Sequence, residues 1–210
     1  MTADTILTMA NGKGIDLHDP KASDIDFAVV AEHLAKENRF NGATPGVAYS
    51  VAEHSVRGAW AILEKTLDHR LAGYFLCHDC HEGFLKDDTT PKKRLVAEIA
   101  AANFGGLAEP VMSAFDLATY RFDVAIHEAA GLSWPPNSGI IAAIKRWDLV
   151  MFVTEWRDLM PGVVHPNWAP YSGIQPLAEI IKPASDWRQA ADLYLSFARE
   201  LLPALKGKVV

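Results

Sequence analysis

The chain has 210 residues, half of them apolar, and a formal charge of −6. That length and apolar content fit one domain, 1–210, with a sizeable core. The negative balance speaks against binding nucleic-acid polymers through bulk charge, and no apolar run reaches the roughly 18 residues that a membrane span requires.

In chain order, residues 1–20 read as a short β-hairpin, "TILTMANGKGIDL", turning at the Gly-rich "NGKG". The opening residues lack the basic start and apolar core of a secretion signal. Only Cys77 and Cys80 are present, too close together for a fold-wide staple. Both features predict a reducing, cytoplasmic setting. A helical core is expected over 24–203. Ser23, followed by Asp24 and Asp26, is a plausible cap for a helix through "FAVVAEHLAKEN". Residues 48–66 carry Val51, Val56, Trp60 and Leu63 near a 3.6 period. A helix is expected over 71–86, and another opens at Pro91, an acceptable first position. Three more are expected over 110–130, about 138–160 and about 185–203. About seven helices with one hairpin define an all-α class.

The chemistry concentrates in "YFLCHDCHEG", residues 74–83. A zinc knuckle would need a second Cys/His pair beyond Cys77 and Cys80, and a thioredoxin-like site would need a βαβ context. The cysteines therefore read as buried packing residues. The adjacent pair His78–Asp79 offers a borderline nitrogen and a hard oxygen, a set suited to Mn, Fe, Co, Ni or Zn rather than Ca. Two ligands seldom suffice. His54, on the preceding helix, can lie opposite His78 if the two helices are antiparallel. Asp148 sits in an apolar helix, where a carboxylate is costly unless paired with Lys145 or Arg146 or bound to a cation. His18, His33, His69, His127 and His165 read as structural, His127 as a helix-surface partner of Asp123. The loop 161–173, with Trp168 and Tyr171, could cover a pocket or pack at a dimer edge.

Three segments, "ENRFNGATPGVAYSVAEHSV" (37–56), "CHDCHEGFLKDDTTPKK" (77–93) and "RWDLVMFVTEWRDLM" (146–160), together resemble the HD-domain phosphohydrolase superfamily. The similarity extends over about residues 5 to 200. It is nearest to the YfbR-like 5′-deoxynucleotidases, with phage HD-type deoxynucleoside triphosphate hydrolases nearby. The resemblance implies an HD-domain helical bundle with one divalent transition metal (Co, Mn, Zn, Fe or Ni, with Mg a further candidate) on His54, His78, Asp79 and Asp148. It implies a catalytic Glu82, able to orient or deprotonate water from a position four residues after His78. It implies substrate contacts from Arg39 and Phe40, from Asp87 on the sugar, and from Lys92, with Lys93 the competing choice. Many relatives read Gly-His-Thr where this chain reads Gly42-Ala43-Thr44, a departure that His81 could partly offset. The implied activity is hydrolysis of deoxynucleoside 5′-monophosphates by a homodimer. The alternatives are a deoxynucleoside triphosphate hydrolase and a metal-containing regulatory protein without catalysis.

Overall fold

The computed structural model describes residues 5–106, 108–163, 165, 168–184 and 186–207. Strands β1 (Ile6–Thr8) and β2 (Gly14–Asp16) form the expected antiparallel hairpin, with Leu7 opposite Ile15. Its turn uses Gly12 at φ +77°, a left-handed conformation open to glycine at no steric cost. The remaining described elements are helices: α1 (Phe27–Lys36), α2 (Val51–Thr66), α3 (His69–Cys77), α4 (Glu82–Leu85), α5 (Thr90–Phe104), α6 (Ala108–Ala130), α7 (Ser138–Leu159) and α8 (Trp187–Leu201). The all-α expectation holds.

Local chemistry explains where these helices start. Helix α1 is capped by Asp26, whose carboxylate accepts from the Ala28 amide, and not by Ser23, which lies in a preceding 3₁₀ turn (Ala22–Asp24). Helix α2 opens on a capping box. Ser50 accepts from the Glu53 amide while Glu53 accepts from the Ser50 amide at 2.9 Å. Asp68, Asn137 and Asp186 cap α3, α7 and α8 with their side chains.

The core lies between α1, α2, α3 and α8, with Val30, Leu34, Ile62, Phe75, Leu76, Tyr194 and Leu202 almost wholly buried. Gly58 lets α2 and α3 approach closely: a Cβ there would lie 2.0 Å from Cε1 of Phe75. This tight crossing brings the middle of α2 against the C-terminal end of α3. Both cysteines are fully buried and free, and Cys80 Sγ lies 2.8 Å from the Tyr194 hydroxyl, which agrees with the packing reading.

The helix expected over 71–86 is broken. Helix α3 stops at Cys77, and residues 78–81 form turns closed by i→i+3 hydrogen bonds such as Cys80 to Cys77 and Glu82 to Asp79. That tighter winding changes which side chains share a face, from i and i+4 to i and i+3. It aligns Asp79 with Glu82, where an unbroken helix would have aligned His78 with Glu82.

Candidate metal centre

Four ligand-type side chains converge at the broken end of α3. His54 Nε2 lies 3.4 Å from His78 Nε2, 3.4 Å from Asp148 Oδ1 and 3.8 Å from Asp79 Oδ2. His78 Nε2 lies 3.2 Å from Asp79 Oδ2 and 3.9 Å from Asp148 Oδ1. Two donors about 2.1 Å from a shared ion are about 3.0 Å apart at a right angle and about 4.2 Å apart when opposite. All five separations fall within that window. Helix α2 contributes His54, the end of α3 contributes His78 and Asp79, and α7 contributes Asp148. The broken helix lets adjacent residues 78 and 79 turn to the same point.

The outward nitrogen of each imidazole is committed. The His78 Nδ1–H donates to the Phe75 carbonyl at 2.6 Å. The His54 Nδ1–H donates to Glu155 Oε1 at 2.6 Å. Both Nε2 lone pairs therefore face the carboxylates and each other, an arrangement of acceptors that a cation would satisfy. Glu155 lies seven residues after Asp148, on the same face of α7, and is wholly buried. Sequence reading missed it, although a carboxylate at i+7 from a candidate ligand in an apolar helix was a usable signal.

Arg39 completes this inner network. Its Nε donates to Glu155 Oε2 at 3.0 Å, and its Nη1 is 3.6 Å from Asp79 Oδ2. Burial would lower the Arg39 pKa, but Glu155, Asp79 and Asp148 hold it raised. Burial likewise acts against ionisation of Asp79, yet His78, His54 and Arg39 keep its carboxyl well below the usual range. His78 is pushed up to about 9, because Asp79 and Asp148 outweigh its burial. The carboxylates around it thus make the centre attractive to positive charge.

Glu82 adjoins this centre. Asp79, His81 and Glu82 form a second group whose ligand atoms lie within 4.8 Å of one another. Glu82 Oε2 is buried without a hydrogen-bond partner, and burial, with Asp79 and Asp87 nearby, pushes its carboxyl up to about 10. Asp87 is half-buried in the loop after α4, its carboxyl raised by burial against the lowering charge of Arg39. Lys92, in the first turn of α5, pairs with Asp88, four residues before it. The charge of Lys93 acts on Asp87. Phe40 packs at 6.2 Å from Phe152 and 5.9 Å from Trp156. Ala43 is exposed in the open loop before α2. His81 pairs with Asp123 at 3.1 Å.

His127 departs from its expected surface position. It is buried, donates from Nδ1 to the Asp123 carbonyl and packs at a tilt against Trp134, with ring centroids 4.3 Å apart. Only Asp148 opens the centre to solvent, with 43% of its side chain exposed against 17% or less for the other three. No helix among the described residues is long and apolar enough to cross a membrane.

No family model matches the chain. A curated protein of Rhodobacter capsulatus, described as uncharacterized, is 39% identical over 93 residues, or 43% of this chain. The match covers 47% of that protein, so the chain spans about half the length of the curated relative it matches.

Proposed function

We propose that the protein is an HD-domain phosphohydrolase that uses a divalent transition metal to hydrolyse deoxynucleoside 5′-monophosphates to deoxynucleoside and phosphate. The observation that carries this reading is the convergence of His54, His78, Asp79 and Asp148, with both Nε2 atoms turned inward by hydrogen bonds at Nδ1. These four residues would hold the ion. When bound, it supplies a Lewis acid that lowers the pKa of water and offsets charge developing on a phosphoryl group.

The chain's own residues do the rest. Arg39 brings a fixed positive charge to the edge of the centre, with a guanidinium fork suited to phosphate oxygens. Its bond to Glu155 pre-sets that fork, so little reorganisation is needed when an anion arrives. Glu82 presents an unpartnered carboxyl oxygen beside Asp79, where it can orient an attacking water through a hydrogen bond. Asp87, half-buried beyond Glu82, is the candidate contact to the sugar. The proposed setting is the cytoplasm, and the proposed assembly is a homodimer.

The test is a screen of deoxynucleoside mono- and triphosphates with Mn²⁺, Co²⁺ and Mg²⁺ in turn. Release of inorganic phosphate from the monophosphate is the expected result. Release of pyrophosphate or triphosphate from the triphosphate would replace the substrate assignment while keeping the reaction class. Ligand binding without turnover under every metal would leave a regulatory protein.

A further inference from the structure

Five aromatic side chains, with the His165 ring packed against four of them, form a wall beside the candidate metal centre. Helix α7 carries Asp148, Phe152, Glu155 and Trp156 at i, i+4, i+7 and i+8, so all four share one face. Asp148 and Glu155 both reach His54. Phe152 lies on the same face of α7, one turn beyond Asp148, the most exposed of the four candidate ligands. Phe40 reaches this wall from the other direction, while its neighbour Arg39 reaches Glu155 and Asp79. Tyr171 packs 4.7 Å from Phe152, and Trp168 lies 5.7 Å from Tyr171 and 6.4 Å from Trp156.

Two observations distinguish this wall from ordinary packing. Phe152, Trp156, Trp168 and Tyr171 stand outside the main hydrophobic core, and all remain partly open to solvent. The backbone that delivers Phe40 is also strained. Phe40 and Asn41 have φ of 57° and 53°, and Gly42 follows at 70°. A left-handed conformation is rare for a bulky residue and is kept only where surrounding contacts enforce it. Here that backbone sets Arg39 on the charged centre and Phe40 on the aromatic wall.

We infer that Phe152, flanked by Phe40 and Tyr171, is the specificity-determining residue that stacks on a planar aromatic group of the substrate, a nucleobase, while the phosphate faces Arg39. This rests on the phosphohydrolase reading for the phosphate end but makes a separate claim about the other end. Stacking of a base on an aromatic side chain contributes about 1–3 kcal/mol, on the order of ten- to a hundredfold in affinity. It tolerates any base, because every base has a π face.

The test compares a deoxynucleoside 5′-monophosphate with 2-deoxyribose 5-phosphate, which keeps the sugar and phosphate and lacks the base. With added Mn²⁺ or Co²⁺, the wild-type kcat/KM should favour the nucleotide by tenfold or more. Phe152→Leu should reduce that ratio about tenfold, mainly through the nucleotide KM, and Phe152→Tyr should restore it. Equal losses on both esters, or an unchanged ratio in Phe152→Leu, would overturn the assignment. If neither ester is hydrolysed under any metal, the proposed reaction fails, and the wall is judged by binding alone. Quenching of tryptophan fluorescence by the nucleotide, absent with 2-deoxyribose 5-phosphate and weakened in Phe152→Leu, would then support it. No quenching, or quenching unaffected by Phe152→Leu, would overturn it.

Discussion

At the scale of single residues, the centre depends on side chains that touch no ion themselves. Glu155 holds His54 at Nδ1 and holds Arg39 at Nε, so one buried carboxylate orients a candidate ligand and a candidate phosphate contact. Partners of this kind typically change metal affinity by roughly 10- to 100-fold. Glu155→Gln should weaken metal binding by that order, read by competition with a chelating dye, while His54, His78, Asp79 and Asp148 all remain. Glu82 gives the complementary case. Glu82→Gln should keep the metal and lower phosphate release by about 10² to 10⁴, the usual contribution of a positioned acid–base group. Loss of metal in that variant would instead make Glu82 a ligand within the second group, Asp79–His81–Glu82.

At the scale of elements, the centre depends on how α2, α3 and α7 are held. Phe75 packs against His54 at 5.7 Å and His78 at 4.4 Å, and its ring fills the space opposite Gly58. Gly58→Ala should force the ring or the helices apart, at a cost of about 1–3 kcal/mol. A lower Tm together with weaker metal binding is the expected signature. The C-terminal part of α7 is fastened to the segment 177–181. Asp158 accepts from Arg157 Nε at 2.6 Å and from the Ile181 amide at 2.8 Å, and the Leu177 amide donates to Thr154. Burial would raise the Asp158 carboxyl, but Arg157 and the Ile181 amide hold it below its ordinary value. A carboxyl depressed on folding stabilises the fold above its unfolded pKa of about 3.9, and that contribution is lost as pH falls through the folded value. Asp158→Asn should therefore lower stability at pH 7 by about 1 kcal/mol, since the partly exposed Arg157 is screened by solvent. Its difference from wild type should shrink below about pH 4, which denaturant titration at several pH values would show.

At the scale of the whole molecule, apolar periodicity made the helices legible, although the one cap read from sequence, Ser23, gives way to Asp26, and the geometry that creates the centre was hidden. The Ser50–Glu53 box and the hairpin at Gly12 are short-range patterns that sequence carries directly. The break after Cys77 is not such a pattern: "CHDCHEG" has neither proline nor an internal glycine before residue 83, and the tighter turns there are set by tertiary packing. His54, His78, Asp79 and Asp148 were recognisable as residue types in order. The role of Glu155 and the burial of His127 depend on which helix faces which, whereas the Lys92–Asp88 pair is a local i, i+4 contact. Because the four candidate ligands come from α2, the turn after α3 and α7, bound metal should stabilise the fold as a whole. An ion at 100 times its Kd adds about 2.7 kcal/mol by mass action. Chelation should lower Tm, and readdition of Mn²⁺ or Co²⁺ should restore it.

The most direct measurement of the central claim is metal content, by elemental analysis, of purified protein and of His54→Ala, His78→Ala and Asp148→Ala after equilibration with Mn²⁺, Co²⁺ or Zn²⁺. The expected result is about one equivalent in the wild-type protein and a large loss in each folded variant. Wild-type protein that takes up no ion, or folded His78→Ala and Asp148→Ala proteins that keep a full equivalent, would contradict the account.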